Sequence, residues 1–130
     1  VALASVMNYA GMIVVIASAL ATVTGQLYPV FAPLIGAVGT FVTGSDTSSN
    51  ILFAKLQANV AHQLNYSNSN WLVAANTTGA TGGKIISPQS IAIATAACDM
   101  QGRDGEILKA AIPYAVLYIA VGGLMVLLAV

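Results

Sequence analysis

Two long apolar stretches without any charged side chain limit what this chain can fold into. Residues 1–24 carry no charge, and Asn8 is their one strongly polar side chain. Residues 110–130 are also uncharged and follow a short amphipathic start at 106–109. A helix needs about 20 apolar residues to cross the hydrocarbon core of a bilayer. The sequence therefore predicts two full transmembrane helices, at residues 1–24 and 106–130.

The composition argues against a soluble protein. Of the 130 residues 58% are hydrophobic and 6% are charged, whereas an ordinary soluble domain is about 25% charged. With four basic residues we expect no nucleic-acid partner. One cysteine, no metal-ligating cluster and no ordered nucleophile and base lead us to expect no metal, no cofactor and no enzyme. Because the chain starts within an apolar run, we expect it to be the C-terminal part of a longer membrane protein.

The region between the two predicted spans contains apolar pieces of about half a span. These pieces are residues 34–43, 51–61, 71–75 and 88–97, separated by polar breaks that contain glycine. Irregular backbone at membrane depth is tolerated only where it is buried in protein or lines a wet cavity, and paired half-helices are typical of a transporter's central site. The pattern predicts a re-entrant hairpin over 34–62 with its tip at 45–50. It also predicts a broken helix over 71–97, unwound from 76 to 87.

The polar breaks are suited to binding a small anion. Half-helix N-termini are expected at Ile51, capped by one of residues 48–50, and at Pro88, capped by Ser87. Each such end carries about half a positive charge and favours a carboxylate. The side chains expected to add hydrogen bonds are Ser45, Thr77, Thr78 and Gln89.

Two charged residues lie within the breaks, and each has a functional and a structural interpretation. A carboxylate at membrane depth is costly and is typical of a proton or ion path, so Asp46 is a candidate proton carrier. It could instead cap the hairpin tip or pair with Lys84 or Lys55. Lys84 could bind a substrate carboxylate, or it could stabilise the fold through an ion pair. On either interpretation we expect the Asp46 and Lys84 neighbourhoods to meet within the membrane.

Both breaks carry long ordered motifs. The first is TGSDTSSN at 43–50, followed by Leu52-Phe53 and Leu56-Gln57. The second is AANTTG at 74–79, followed by Gly83-Lys84 and ISPQSIA at 86–92. These strings resemble the signatures of the L-lactate permease family, and the resemblance covers nearly the whole chain.

The resemblance implies a multi-pass secondary transporter of the inner (plasma) membrane that takes up lactate, glycolate and related 2-hydroxymonocarboxylates with protons. It implies an all-α membrane protein that forms half of an inverted-repeat, elevator-like transporter. The implied partners are the substrate anion, the proton, the lipid bilayer and the N-terminal part of the same permease. The residues implied to surround substrate and coupling ion are Ser45, Asp46, Thr47, Ser48, Asn50, Asn76, Thr77 and Thr78.

Two alternatives remain open at this point. The Ser/Thr/Asn-rich breaks could hold sodium through hydroxyl and carbonyl oxygens, as in a sodium-coupled carboxylate transporter of the same superfamily. The chain could also belong to a membrane scaffold that transports nothing. Uptake driven by a proton gradient or by a sodium gradient distinguishes the two kinds of transporter, and a scaffold would show no uptake.

Overall fold

The structure, a computed structural model, describes residue 6 and residues 9–130 of the chain. All regular elements in this part are helices, which confirms the all-α prediction. In chain order they are α1 (Met12–Thr24), a short 3₁₀ turn (Gly25–Leu27), α2 (Tyr28–Thr43), α3 (Asp46–Gln63), α4 (Asn70–Ile85), α5 (Pro88–Ala97) and α6 (Asp104–Ala129). The start of the predicted first span, including Asn8, lies outside the described residues.

Two helical runs are long and apolar enough to cross a membrane, as judged by length and composition. They are Met12–Thr43 and Asp104–Ala129. The first run extends well beyond the predicted end at residue 24, because only the 3₁₀ turn separates α1 from α2. Gly25 bends the run with φ 52° and ψ −134°, a backbone conformation open mainly to glycine. The second run begins two residues before the predicted start at 106.

The turn between α2 and α3 consists of Gly44 and Ser45. Gly44 has φ 70° and its N–H donates to the Thr40 carbonyl over 2.7 Å, which ends α2. Ser45 is extended and its side chain accepts from the Ser48 N–H over 3.3 Å. The predicted helix start at Ile51 is therefore wrong. Ser45 has the backbone conformation and side-chain oxygen that an N-cap requires, so α3 begins five residues earlier, at Asp46.

Helix α4 is continuous through the segment that was predicted to unwind. It is helical to Ile85, and the chain leaves helix only at Ile86 and Ser87, so the prediction of an unwound stretch from 76 to 87 is wrong. Its glycines serve close packing: a Cβ at Gly79 or Gly83 would overlap the backbone carbonyl of Pro33 or Ala37 in α2. The predicted cap of α5 is confirmed, since Ser87 accepts from the Ser90 N–H over 3.3 Å.

Helix α2 lies at the centre of the bundle. It packs on α3, α4 and α6, and its contact with α4 is the most extensive in the described chain. Helix α1 packs along α3, where Gln63 Nε2 donates to Ser18 Oγ over 2.9 Å. Large apolar side chains such as Val15, Leu117 and Leu124 remain exposed on the outside. This distribution is the one expected when lipid or further apolar helices surround a bundle.

Candidate functional site

The first turn of α3 contains a carboxylate that lacks a partner. Asp46 is half-buried, and its Oδ1 is fully buried with no hydrogen bond to any described residue. Next to it, Thr47 is exposed, and Ser48 contributes its backbone N–H to the Ser45 cap. A buried polar atom without a partner is unfavourable, whereas the N-terminus of α3 favours the negative charge of the carboxylate.

The two polar breaks meet at Asn50. Its Oδ1 accepts from Asn76 Nδ2 over 3.0 Å and from Thr77 Oγ1 over 3.0 Å. Asn76 is fully buried, whereas Thr77 on the next position of α4 is exposed. The contact therefore reaches from the interior of the bundle to its surface.

Two residues that the sequence analysis did not select extend this contact inward. Gln57 Nε2 donates to Asn76 Oδ1 over 3.2 Å and to the Ala32 carbonyl over 3.3 Å. Tyr28 donates its hydroxyl to Gln57 Oε1 over 2.8 Å, and both side chains are fully buried. A signal was present, because positions 46, 50 and 57 share one face of an α-helix. The alignment of Gln57 with Asp46 and Asn50 on this face could have identified it.

The second meeting point of the breaks is Lys84. Its Nζ donates to the Gly44 carbonyl, at the end of α2, and to Gln89 Oε1 over 3.2 Å. An ammonium at a helix C-terminus is favoured by the helix dipole. The alternative interpretation, in which Asp46 pairs with Lys84 or Lys55, does not hold in this structure, because the ion pair found among the described residues joins Arg103 to Glu106. The Gly44 carbonyl, two residues before Asp46, holds the ammonium instead.

Thr78 is separated from the other predicted site residues. Its hydroxyl donates to the Ala74 carbonyl of its own helix over 3.1 Å. Its methyl group lies against α6, where a Cβ at Gly122 would come within 2.5 Å of it. Thr78 therefore contributes to the packing of α4 on α6 and makes no contact with Asn50.

Two of the cavities between the helices have apolar linings that do not suit a carboxylate. One of about 280 Å³ is lined by apolar side chains that include Leu34 and Phe53. Another, of about 240 Å³, lies next to Phe41 and Ile86. Because a charged group is costly to bury without polar partners, the polar contacts around Asn50 and Lys84 form the better candidate site.

The sequence of the chain matches a known protein family. A family model described as L-lactate permease matches residues 1–130. The chain is 48% identical to the glycolate permease GlcA of Escherichia coli (strain K12) over 127 residues, which cover 98% of this chain and 22% of that protein. It is 45% identical to the L-lactate permease of the same strain over 124 residues, which cover 95% of this chain and 22% of that protein.

A more distant relative is the L-lactate permease of Bacillus subtilis (strain 168). It is 41% identical over 109 residues, which cover 84% of this chain and 19% of that protein. The chain therefore spans about a fifth of the length of the curated relatives that it matches. No solved structure matches the chain.

Proposed function

Because the chain belongs to the L-lactate permease family, we propose that it forms part of a transporter for lactate, glycolate and related 2-hydroxymonocarboxylates. The membership confirms the family that the motifs of the two breaks indicated. We propose further that the protein resides in the inner (plasma) membrane and couples uptake to protons, and that 34–62 is its re-entrant hairpin.

One observation carries the proposal: polar contacts join the two breaks at two places within an apolar bundle. Asn50 contacts Asn76 and Thr77, while Lys84 contacts Gly44 and Gln89. Amide and ammonium donors are the groups that bind a carboxylate and a neighbouring hydroxyl. The adjacent N-terminus of α3 adds the field of its helix dipole. This arrangement supports binding of a small 2-hydroxy acid anion.

Asp46 supports the proton-coupling part of the proposal. Its buried Oδ1 has no hydrogen-bond partner among the described residues, so no other side chain in this part of the chain engages the carboxyl. Proton binding here and anion binding nearby would favour each other electrostatically. The proton and the substrate anion could then be transported together without direct contact between them.

The test is uptake by the protein expressed from its complete gene in a host that lacks its own lactate uptake. Membrane vesicles receive labelled L-lactate or glycolate under an imposed pH gradient, or under a sodium gradient at constant pH. We expect the pH gradient alone to drive accumulation of both. Accumulation that follows sodium instead would overturn proton coupling and favour the sodium-coupled alternative. No uptake of either acid would overturn the transport proposal and favour a scaffold.

The site assignment has its own test in the same vesicles. Replacing Asn50 by Ala removes the residue at which the breaks meet, so we expect the KM for L-lactate to rise. Asn59→Ala is the matched control, because Asn59 lies on the same helix and makes no side-chain hydrogen bond among the described residues. Equal KM values for the two variants would remove Asn50 from the site.

A further inference from the structure

Building on the proposed function, we propose that Asn50 presents its N–H donors to the ligand, with Gln57 as the positioning residue that fixes this orientation. The donors would make Asn50 a specificity determinant for the oxygen of an anion. In this orientation the side-chain oxygen of Asn50 faces the protein, so Asn50 would not serve as an oxygen ligand of a coupling cation.

The orientation of the Gln57 amide is fixed by a group that can only accept. The atom of Gln57 that faces the Ala32 carbonyl must be nitrogen, since a carbonyl has no proton to donate. The same Nε2 lies 3.2 Å from Asn76 Oδ1, so both of its N–H groups are used. Its Oε1 accepts the hydroxyl of Tyr28 over 2.8 Å. Every polar group of the Gln57 side chain is thereby assigned.

The orientation of the Gln57 amide determines that of the Asn76 amide, which in turn determines that of the Asn50 amide. Because Asn76 Oδ1 faces Gln57, its Nδ2 faces Asn50 and donates to Oδ1 over 3.0 Å. The Thr77 hydroxyl lies 3.0 Å from the same oxygen and 3.3 Å from the Val73 carbonyl, and its one proton is shared between these two acceptors. The Asn76 amide therefore fixes the orientation of Asn50. The Asn50 Nδ2 then has no hydrogen-bond partner in the described part of the chain.

Burial makes this orientation persistent. Gln57 and Asn76 have no exposed surface. Turning their amides would set an amide oxygen against the Ala32 carbonyl in a place that water does not reach. Such opposed acceptors are costly in the interior of a protein. The half-buried Asn50 therefore offers two N–H groups outward.

This orientation selects the ligand by its chemistry. N–H donors bind carboxylate or hydroxyl oxygens, whereas hard cations such as sodium need oxygen ligands. The only oxygen of the Asn50 side chain is already used by Asn76 and Thr77. Asn50 therefore belongs to the anion part of the site.

Asn50→Asp is the direct variant, because it keeps an oxygen to accept from Asn76 and replaces the outward N–H donors by a negatively charged oxygen, which a carboxylate substrate should avoid. In the uptake assay with the protein from its complete gene, we expect the KM for L-lactate and glycolate to rise at least about tenfold, the factor that a hydrogen bond to a charged group is worth. A KM equal to that of the wild type would overturn the inference.

Gln57→Met tests the positioning role. It removes the amide and keeps the volume, so Asn76 and Asn50 can turn. We expect the KM to rise about fivefold, the factor that one neutral hydrogen bond is worth, with an unchanged maximal rate per inserted protein. Ser49→Ala is the control, because Ser49 is a buried residue of α3 whose hydroxyl donates to the Gly36 carbonyl, outside the chain of amides. A purely structural role for Gln57 would lower the amount of inserted protein and leave the KM unchanged.

The outcomes separate this inference from the proposed function. If the wild type takes up neither acid, the proposed function fails. If the wild type takes up the acids and Asn50→Asp keeps its KM, the inference alone fails. Should Gln57→Met not insert into the membrane, the Asn50→Asp result decides.

Discussion

At the scale of single residues, the buried and half-buried hydrogen bonds between α3 and α4 are made by uncharged amide side chains. Asn50, Gln57 and Asn76 form directional hydrogen bonds, and burying a satisfied amide costs far less than burying a charge. Asp46 is the exception, since its buried oxygen has no partner among the described residues. The sequence alone selected Asp46 and Asn50 as candidates through their motifs, and their roles in the site stay predictions. It could not identify Tyr28, whose role depends on a glutamine 29 positions away.

Replacing Asp46 by Asn tests its role as proton carrier, because the amide keeps the size and loses the titratable group. We expect uptake driven by a pH gradient to be abolished, while exchange of labelled for unlabelled lactate across the membrane continues. Asp99→Asn, in the exposed segment after α5, serves as the control. Normal proton-driven uptake by the Asp46 variant would exclude this residue from coupling.

Replacing Tyr28 by Phe tests the buried end of the hydrogen-bonded chain. Loss of the hydroxyl leaves Gln57 Oε1 buried without a donor, and we expect the free energy of unfolding to fall by about 1–3 kcal/mol. Thermal unfolding of the detergent-solubilised protein measures the change. Tyr114→Phe is the comparison, because Tyr114 on α6 is 71% exposed and should tolerate the change. Equal melting temperatures for both variants would contradict the importance of the buried hydroxyl.

At the scale of helices, apolar length and polar breaks predicted the order of the elements well, and the local shape of the breaks less well. The break before Pro88 and the cap at Ser87 follow from local chemistry and were predicted. The continuity of α4 was not, because Gly79 and Gly83 weaken an isolated helix and their effect here depends on α2. That neighbour lies more than forty residues away in the chain, and no local pattern reveals it.

Gly83→Ala tests this explanation of the α4 glycines. The added methyl group would overlap the Ala37 backbone carbonyl, and no side-chain rotation can relieve a clash with backbone. We expect the overpacking to cost about 1–3 kcal/mol of stability. Gly105→Ala is the control, because nothing lies within 4 Å of its Cβ position in the first turn of α6. A melting temperature for Gly83→Ala at or above that of the control would show that α2 and α4 do not need this contact.

At the scale of the whole molecule, charge is concentrated at one place. Five of the eight charged residues lie between positions 99 and 109, around the start of α6, whereas the rest of α6 exposes apolar side chains. The expected consequence is that the segment before α6 lies in water and the middle of α6 in lipid. The two long apolar runs of the sequence were sufficient to predict this division. They do not determine how the helices between them pack.

Cysteine labelling tests this placement in the membrane. Cys98 is exposed and free, so a membrane-impermeant maleimide should modify it from one side in vesicles whose other cysteines are replaced. A cysteine introduced at Leu117, which is 62% exposed on α6, should resist the same reagent because lipid covers it. Rapid modification at position 117 would place the middle of α6 in water.

The backbone contact between α2 and α4 has a mechanical consequence. Glycines at 36, 79 and 83 bring the two helices so close that any added methyl group would meet backbone atoms. Interlocked surfaces of this kind resist sliding, so α2 and α4 should move as one body in any transport cycle of the kind proposed. Any change in the angle between helices is then expected at the segments that join them, which include Gly25 and the two-residue turn at Ile86 and Ser87.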